Sequence, residues 1–181
     1  MTQYKQIIGS LMYLKNTRAN ICFAVNTLNQ YLVQPRWVPL IAAKNVMRYL
    51  KGTIDFGLYY DGSHEYRLYG YTDADWAGSV SDRKSTSGGC YSLGSAMISW
   101  FSKKQSSVSL STAEAEYLVA YSNSCEAIWL QKLMSGLFNL ELDTTVILCD
   151  NQSCIKMTEN LVCYDRSKHI EIRYFYIRVM I

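Results

Sequence analysis

The sequence predicts an α/β protein, a mixed sheet preceded by a small helical segment. Three observations carry that reading. Apolar residues recur at helical spacing to about residue 52 and change period from residue 54 onward. A long helical pattern, Thr112–Phe138, then separates one group of strand signals from another. The strands on either side of it end in aspartate, at Asp73 and Asp150, and aspartate is a poor strand residue unless the chain has a use for it.

Residues 1–53 read as a helical segment. Tyr4, Ile8, Leu11 and Leu14 form one apolar stripe. Ile21, Val25, Leu28 and Leu32 form a second, with Asn20 as its N-cap and Pro35 closing it. The third helix starts at Pro39, carries Leu40, Ala43, Val46 or Met47, and Leu50 on one face, and stops at Gly52. Arg36, Lys44, Arg48 and Lys51 read as its solvated face.

Residues 54–181 read as the sheet domain. Phe56–Tyr60 and Tyr66–Thr72 look extended, with a turn at Asp61–His64. Gly88–Leu93 and Met97–Phe101 follow, joined by the hairpin signal Gly94-Ser95. The helix Thr112–Phe138 places Leu118, Tyr121 or Ser122, Cys125, Trp129 and Leu133 on its apolar face. Thr144–Cys149 is a compact buried strand and Asn151–Thr158 a short helix. Arg166–Ile181 fits a helix by Ile170, Tyr174 and Ile177, and a strand by the alternation of Ile170, Ile172, Tyr174 and Tyr176. The order β-β-β-α-β-α is an antiparallel meander feeding a helical crossover.

Composition narrows the function classes. The chain has 181 residues, 49% of them hydrophobic, and a net charge of +3, which permits a polyanionic partner without requiring one. No apolar run has the length of a membrane span, and no targeting signal is seen. An intracellular protein, cytoplasmic or nuclear, is expected. Its six cysteines show no C-x-x-C pair, so reduced and mostly buried thiols are expected rather than a zinc site.

The stretch "YTDADWAG", Tyr71–Gly78, opens the chemistry. A helical crossover makes its flanking strands parallel, so Asp73 and Asp150 belong at one carboxyl edge of the sheet, where α/β proteins build their sites. The third acid should come from the helix between them, which begins "STAEAEY", Ser111–Tyr117. Ser111-Thr112-Ala113-Glu114 fits a capping box, which accounts for Glu114. Glu116 lies roughly 200° further round the helix, on the inner face with Ala120 and Asn123, and no cap explains it. Asp73, Glu116 and Asp150 together suit hard cations, Mg2+ or Mn2+. Two such ions about 4 Å apart would support phosphodiester cleavage. Taken singly, each Asp also reads as a turn or cap residue: Asp150 could cap the helix after it, and Asp75 shapes the loop at Trp76–Gly78.

The motifs "GYTDADWAG", "RKSTSG", "ISWFSKKQ", "LSTAEAEY", "WLQKLM", "CDNQSCI" and "DRSKHIEIRY", in that order, resemble the ribonuclease H domain of copia-type LTR retrotransposon Pol polyproteins. Upstream, "IIGSLMYLKNTR" and "AAKNVMRYLKGTIDFGLYY" resemble the tail of the same family's reverse transcriptase. The resemblance covers essentially the whole chain. It implies a ribonuclease H-like, five-stranded mixed sheet with helices on both faces. It also implies metal-dependent hydrolysis of RNA in RNA–DNA hybrids, with Asp73, Glu116 and Asp150 as catalytic metal ligands. Arg83, Lys84, Lys103 and Lys104 lie in stretches that the family presents to nucleic acid. Trp76 is open to two roles, a sugar or base contact and packing under its turn.

The sequence also departs from the family. No Y-x-D-D motif occurs, which excludes polymerisation. Thr17-Arg18-Ala19-Asn20-Ile21 stands where the family reads "TRPDI". Trp37, Pro39, Tyr164 and Phe175 replace its usual histidines. The family's fourth acid lies in a last strand and helix beyond Ile181, so the sheet domain is expected to be truncated at its C-terminus and hydrolysis impaired. The alternative expectation is a catalytically inactive, host-adopted relic that acts as a nucleic-acid-binding or protein-interaction module. The apolar stretch Tyr174–Ile181 is a candidate for self-association, and no membrane partner is expected.

Overall fold

The computed structural model describes residues 2–34, 36–62 and 65–159. Pro35, part of the turn Asp61–His64, and the whole of Arg166–Ile181 lie outside the described residues, as do Cys163, Tyr164 and Phe175. Three helices come first: α1 (Thr2–Leu14), α2 (Cys22–Asn29, entered through a 3-10 turn at Ala19–Ile21) and α3 (Trp37–Gly52). They are followed by β1 (Leu68–Ala74), β2 (Thr86–Leu93), β3 (Ala96–Lys104), α4 (Thr112–Phe138), β4 (Val146–Leu148) and α5 (Gln152–Glu159).

The helical segment has a core of its own. Tyr4, Ile8, Leu11, Ile21, Val25, Leu28 and Ala43 are buried together, with Leu14, Leu32, Leu40, Val46 and Leu50 packed on them. Val46 therefore takes the inner position, and Met47 is exposed. The Tyr4 hydroxyl donates to the Leu28 carbonyl at 2.7 Å, which satisfies a polar group inside that core. Arg36, Lys44, Arg48 and Lys51 are all exposed, as a solvated face requires. Asn20 does not cap α2. It lies in the 3-10 turn that runs straight into the helix, and its amide donates to the Tyr49 hydroxyl at 2.5 Å.

Among the described residues the sheet has four strands in the order β3-β2-β1-β4. β1 pairs antiparallel with β2, β2 antiparallel with β3, and β1 parallel with β4. The β2–β3 hairpin closes with Leu93 opposite Ala96, and Gly94 supplies the positive φ of 60° that its two-residue turn needs. A register shift at Tyr91/Ser92 leaves Ile98 as the extra residue on β3.

Three strand expectations change. Thr144–Cys149 shortens to Val146–Leu148, and Val146 and Leu148 are each 48% exposed rather than buried. Phe56–Tyr60 is irregular: every one of its residues is exposed, and no strand among the described residues pairs with it. Tyr60 instead donates its hydroxyl to the Met97 carbonyl at 2.9 Å, and the Asp61 N–H reaches the Ser95 hydroxyl at 2.8 Å. β1 starts later and runs further than Tyr66–Thr72, so Asp73 lies inside the ladder opposite Gly88 rather than beyond it.

The buried face of α4 keeps Leu118 of the expected stripe, 4% exposed, and differs from it elsewhere. Glu116, Val119, Asn123, Ala127 and Leu130 face inward, while Trp129 is 54% exposed and Cys125 and Leu133 are half-buried. At Asn123 the inner face is polar and closely approached, because β2 offers Gly89 there with little room between. A Cβ on Gly89 would lie 2.5 Å from the Asn123 Oδ1. Hydropathy therefore pointed to the flank of the helix. Tyr91, Leu68, Ala127 and Leu130 form the core beneath.

The helical segment docks on β3. The Asn26 amide donates to the Ser102 carbonyl at 2.7 Å, and the Trp100 indole N–H donates to the Lys15 carbonyl at 2.8 Å. β3 ends the strand order, so these contacts help cover an exposed edge. No helix among the described residues is long and apolar enough to cross a membrane.

Candidate metal centre

The parallel register between β1 and β4 builds the site. Tyr71 is opposite Leu148, so Asp73 and Asp150 each stand two residues beyond the last paired position, at one carboxyl edge. The alternation of β1 sets Asp73 on the face opposite Thr72. Thr72 is buried and Asp73 exposed.

The helix signals resolve as chemistry predicts. Ser111 accepts the Glu114 N–H at 3.2 Å. The Glu114 carboxylate reaches back to the Leu110 N–H at 2.8 Å, one residue earlier than a capping box requires. Glu114 is thus committed to the helix start. Asp150 is free of capping duty, because Asn151 Oδ1 accepts the Cys154 N–H at 3.0 Å and caps α5.

Glu116 is 5% exposed. Its Oε1 accepts the Ala74 N–H at 3.0 Å, and its Oε2 is buried without a hydrogen-bond partner. Burial pushes its carboxyl up to about 6, the Ala74 hydrogen bond opposes that shift, and the charges of Asp73 and Asp150 add to it. Desolvation outweighs the hydrogen bond because a single amide replaces a full hydration shell.

Ligand atoms of Glu116, Cys149 and Asp150 lie within 4.8 Å of one another. Asp73 is not in that group; it stands beside it, close enough for its charge to act on Glu116. Cys149 is the member that sequence reasoning missed. Neighbouring residues of a continuing strand face opposite ways, but β4 ends at Leu148, and past that point Cys149 and Asp150 converge. The signal is the adjacent "CD" of Cys149 and Asp150, which matches no metal-ligand spacing along the chain. The described cysteines are all free thiols; Cys22 and Cys154 are buried, and Cys90, Cys125 and Cys149 half-buried.

A divalent cation fits this donor set. Glu116 Oε2 is an orphaned buried oxygen, and three carboxylates crowd one edge with no described basic side chain bonded to Glu116. A cation would satisfy the oxygen and cancel the repulsion.

The surrounding loop is tied down by its own residues. Asp75 accepts the Thr86 N–H, and its carboxylate fills the space beneath Gly78. The Trp76 indole N–H donates to the Ser109 carbonyl at 3.1 Å, joining the β1–β2 loop to the start of α4. Of the four basic residues, Lys104 is already engaged. Its Nζ lies 2.8 Å from Asp82 and 2.9 Å from the Ser79 hydroxyl. That pairing, with Ser79 and the Lys84 amide, holds the Asp82 carboxyl down at about 2. Lys103 is exposed, and both lysines lie within β3 rather than after it. Arg83 sits at a positive φ of 55° in the loop, with its N–H on the Ser79 carbonyl at 2.8 Å. Lys84 is half-buried beside it.

Fold and site define a mixed α/β protein with an acidic cluster at the carboxyl edge of its sheet. Comparison with known proteins then identifies the lineage. The chain is 41% identical over 177 residues, 98% of its length, to the retrovirus-related Pol polyprotein from transposon RE2 of Arabidopsis thaliana. It is 41% identical over 179 residues to that from transposon TNT 1-94 of Nicotiana tabacum. It spans only 12% and 13% of those polyproteins. It is also 41% identical over 128 residues to the secreted RxLR effector protein 161 of Plasmopara viticola, covering 70% of this chain and 90% of that protein. The transposon homologues are copia-type retrotransposon Pol polyproteins, of which the chain matches one short stretch. No protein-family model and no solved structure matches it.

Proposed function

We propose that this chain is a ribonuclease H-like unit of retroelement descent that hydrolyses RNA in RNA–DNA hybrids with a divalent metal. The observation that supports this most is Glu116, buried at the sheet edge with Oε2 unpartnered and two aspartates beside it. Asp73, Glu116 and Asp150 would hold the ion or ions. Bound Mg2+ or Mn2+ would supply an activated water and stabilise the leaving oxygen.

The chain's own residues do the rest. The Ala74 N–H fixes one oxygen of Glu116 and leaves the other without a hydrogen-bond partner. Asn151 takes the capping role that would otherwise draw on Asp150. Trp76 and Asp75 brace the loop that follows Asp73. Arg83, Lys84 and Lys103 would meet phosphates, giving salt-sensitive binding with little sequence preference. Lys104 supports that surface through Asp82 and Ser79.

The test is cleavage of a labelled RNA–DNA hybrid by the purified chain with Mg2+ or Mn2+. Cleavage abolished by Asp73→Asn and by Glu116→Gln supports the reading. A folded wild-type chain that binds hybrid without cutting it would support the relic instead.

A further inference from the structure

We propose that Cys149 makes this pocket a site for thiophilic divalent cations, Zn2+ or Cd2+, which compete with the hard cations its carboxylates suit. The inference rests on the reading of Glu116 and Asp150 as cation ligands and extends it with a sulfur donor. Glu116, Cys149 and Asp150 already bring two oxygens and one sulfur within 4.8 Å of one another. Bonds of about 2.0–2.3 Å in a tetrahedral zinc site set ligand atoms roughly 3.3–3.8 Å apart, so modest side-chain rotations close the set on one ion.

The second observation is Glu116 itself. It is 5% exposed, its carboxylate belongs to the same cluster, and its Oε2 is buried without a hydrogen-bond partner. A third donor of different softness changes which ion wins. Thiolate favours Zn2+ and Cd2+ over Mg2+, whereas carboxylates alone do not discriminate in that direction. Behind Cys149 the buried Cys154 is hydrogen-bonded to it, and the Cys149 thiol lies 4.0 Å from the Asn151 carbonyl. As the sulfur–metal bond forms, the Cys149 thiol proton leaves to solvent, and uptake of a thiophilic ion therefore releases acid. An ion held this way occupies the Glu116 and Asp150 oxygens and excludes Mg2+ from them.

The test uses the full chain, reduced with a phosphine and titrated with Cd2+ alone. The expected result is a sulfur-to-cadmium charge-transfer absorption, with Cys149 protected from iodoacetamide when alkylated sites are mapped by mass spectrometry. Cys149→Ser should lose the absorption and still take up Mn2+, followed by the resonance of free Mn2+. Glu116→Gln should weaken Cd2+ uptake, and Cys125→Ser should leave the absorption intact. Absorption that persists in Cys149→Ser overturns the proposal. So does equal alkylation of Cys149 with and without Cd2+, a result that needs no variant to fold. Wild-type chain that protects Cys149 with Cd2+ but binds no Mn2+ would overturn the hydrolase reading and leave the sulfur site standing.

Discussion

Glu116 accepts the Ala74 N–H at 3.0 Å, so the first turn of α4 is fastened to the last residue of β1 by a buried carboxylate. That bond fixes one oxygen and leaves the other without a partner. The arrangement costs stability whenever the carboxylate is charged, and the cost can be measured.

The Glu116 carboxyl is raised from 4.5 to about 6 in the folded chain. The folded state therefore holds this proton more tightly than the unfolded state. Below 4.5 both states are protonated and there is no penalty. Between 4.5 and 6 the unfolded state ionises first, and above about 6 the penalty is complete, roughly 2 kcal/mol from the size of the shift. The stability difference between wild type and Glu116→Gln should move by about that amount, in favour of Gln, from pH 4.5 to pH 8. Urea unfolding of both proteins across that range checks it. A constant difference would mean that Glu116 titrates as in water.

Gly89→Ala should destabilise the chain by about 1–3 kcal/mol, as overpacking of a tight interior does. The added methyl would meet the Phe101 ring and lie 2.5 Å from the Asn123 Oδ1, both against β2. Gly136→Ala, where nothing lies within 4 Å of the new atom, is the control and should be neutral or slightly stabilising. Denaturant midpoints of the two variants give the comparison.

Residues 54–62 are exposed and irregular, apart from the half-buried Asp61, and they separate two cores that share no buried residue. Limited proteolysis should cut there and leave a protected fragment that starts near residues 53–65. Asn26→Ala removes the 2.7 Å bond to the Ser102 carbonyl and the Lys15 contact to Asn26 Oδ1. It should loosen docking by about 1–2 kcal/mol and speed that cleavage. Unchanged cutting would mean that other contacts hold the helices to β3.

The basic residues should separate in a binding assay on an RNA–DNA hybrid. Lys103→Glu, at an exposed position, should weaken binding to all sequences alike and reduce the salt slope by about 1. Lys104→Ala breaks the pairing with Asp82 and Ser79. Its effect should come with loosening of the β1–β2 loop, seen as faster amide exchange at Ser79–Lys84. Equal losses without that exchange would make Lys104 a direct phosphate contact.

Local chemistry was legible in the sequence. The change from helical to alternating period marked the α/β class, and Gly94-Ser95 marked a hairpin, because both depend on near neighbours along the chain. The same holds for Glu114, whose cap lies within four residues, and for the shared edge of Asp73 and Asp150, which follows from one helical crossover. Tertiary structure decided the rest. It turned Trp129 of the expected apolar stripe outward and set Asn123 tightly against Gly89 of β2. It left Phe56–Tyr60 irregular, drew Asn20 to Tyr49, and engaged Lys104 with Asp82. It also brought Cys149 to Glu116, 33 positions away in the numbering, where β4 ends and its alternation no longer holds. Each of these depends on partners distant in the chain, and no spacing rule along one segment can encode what the opposing segment presents.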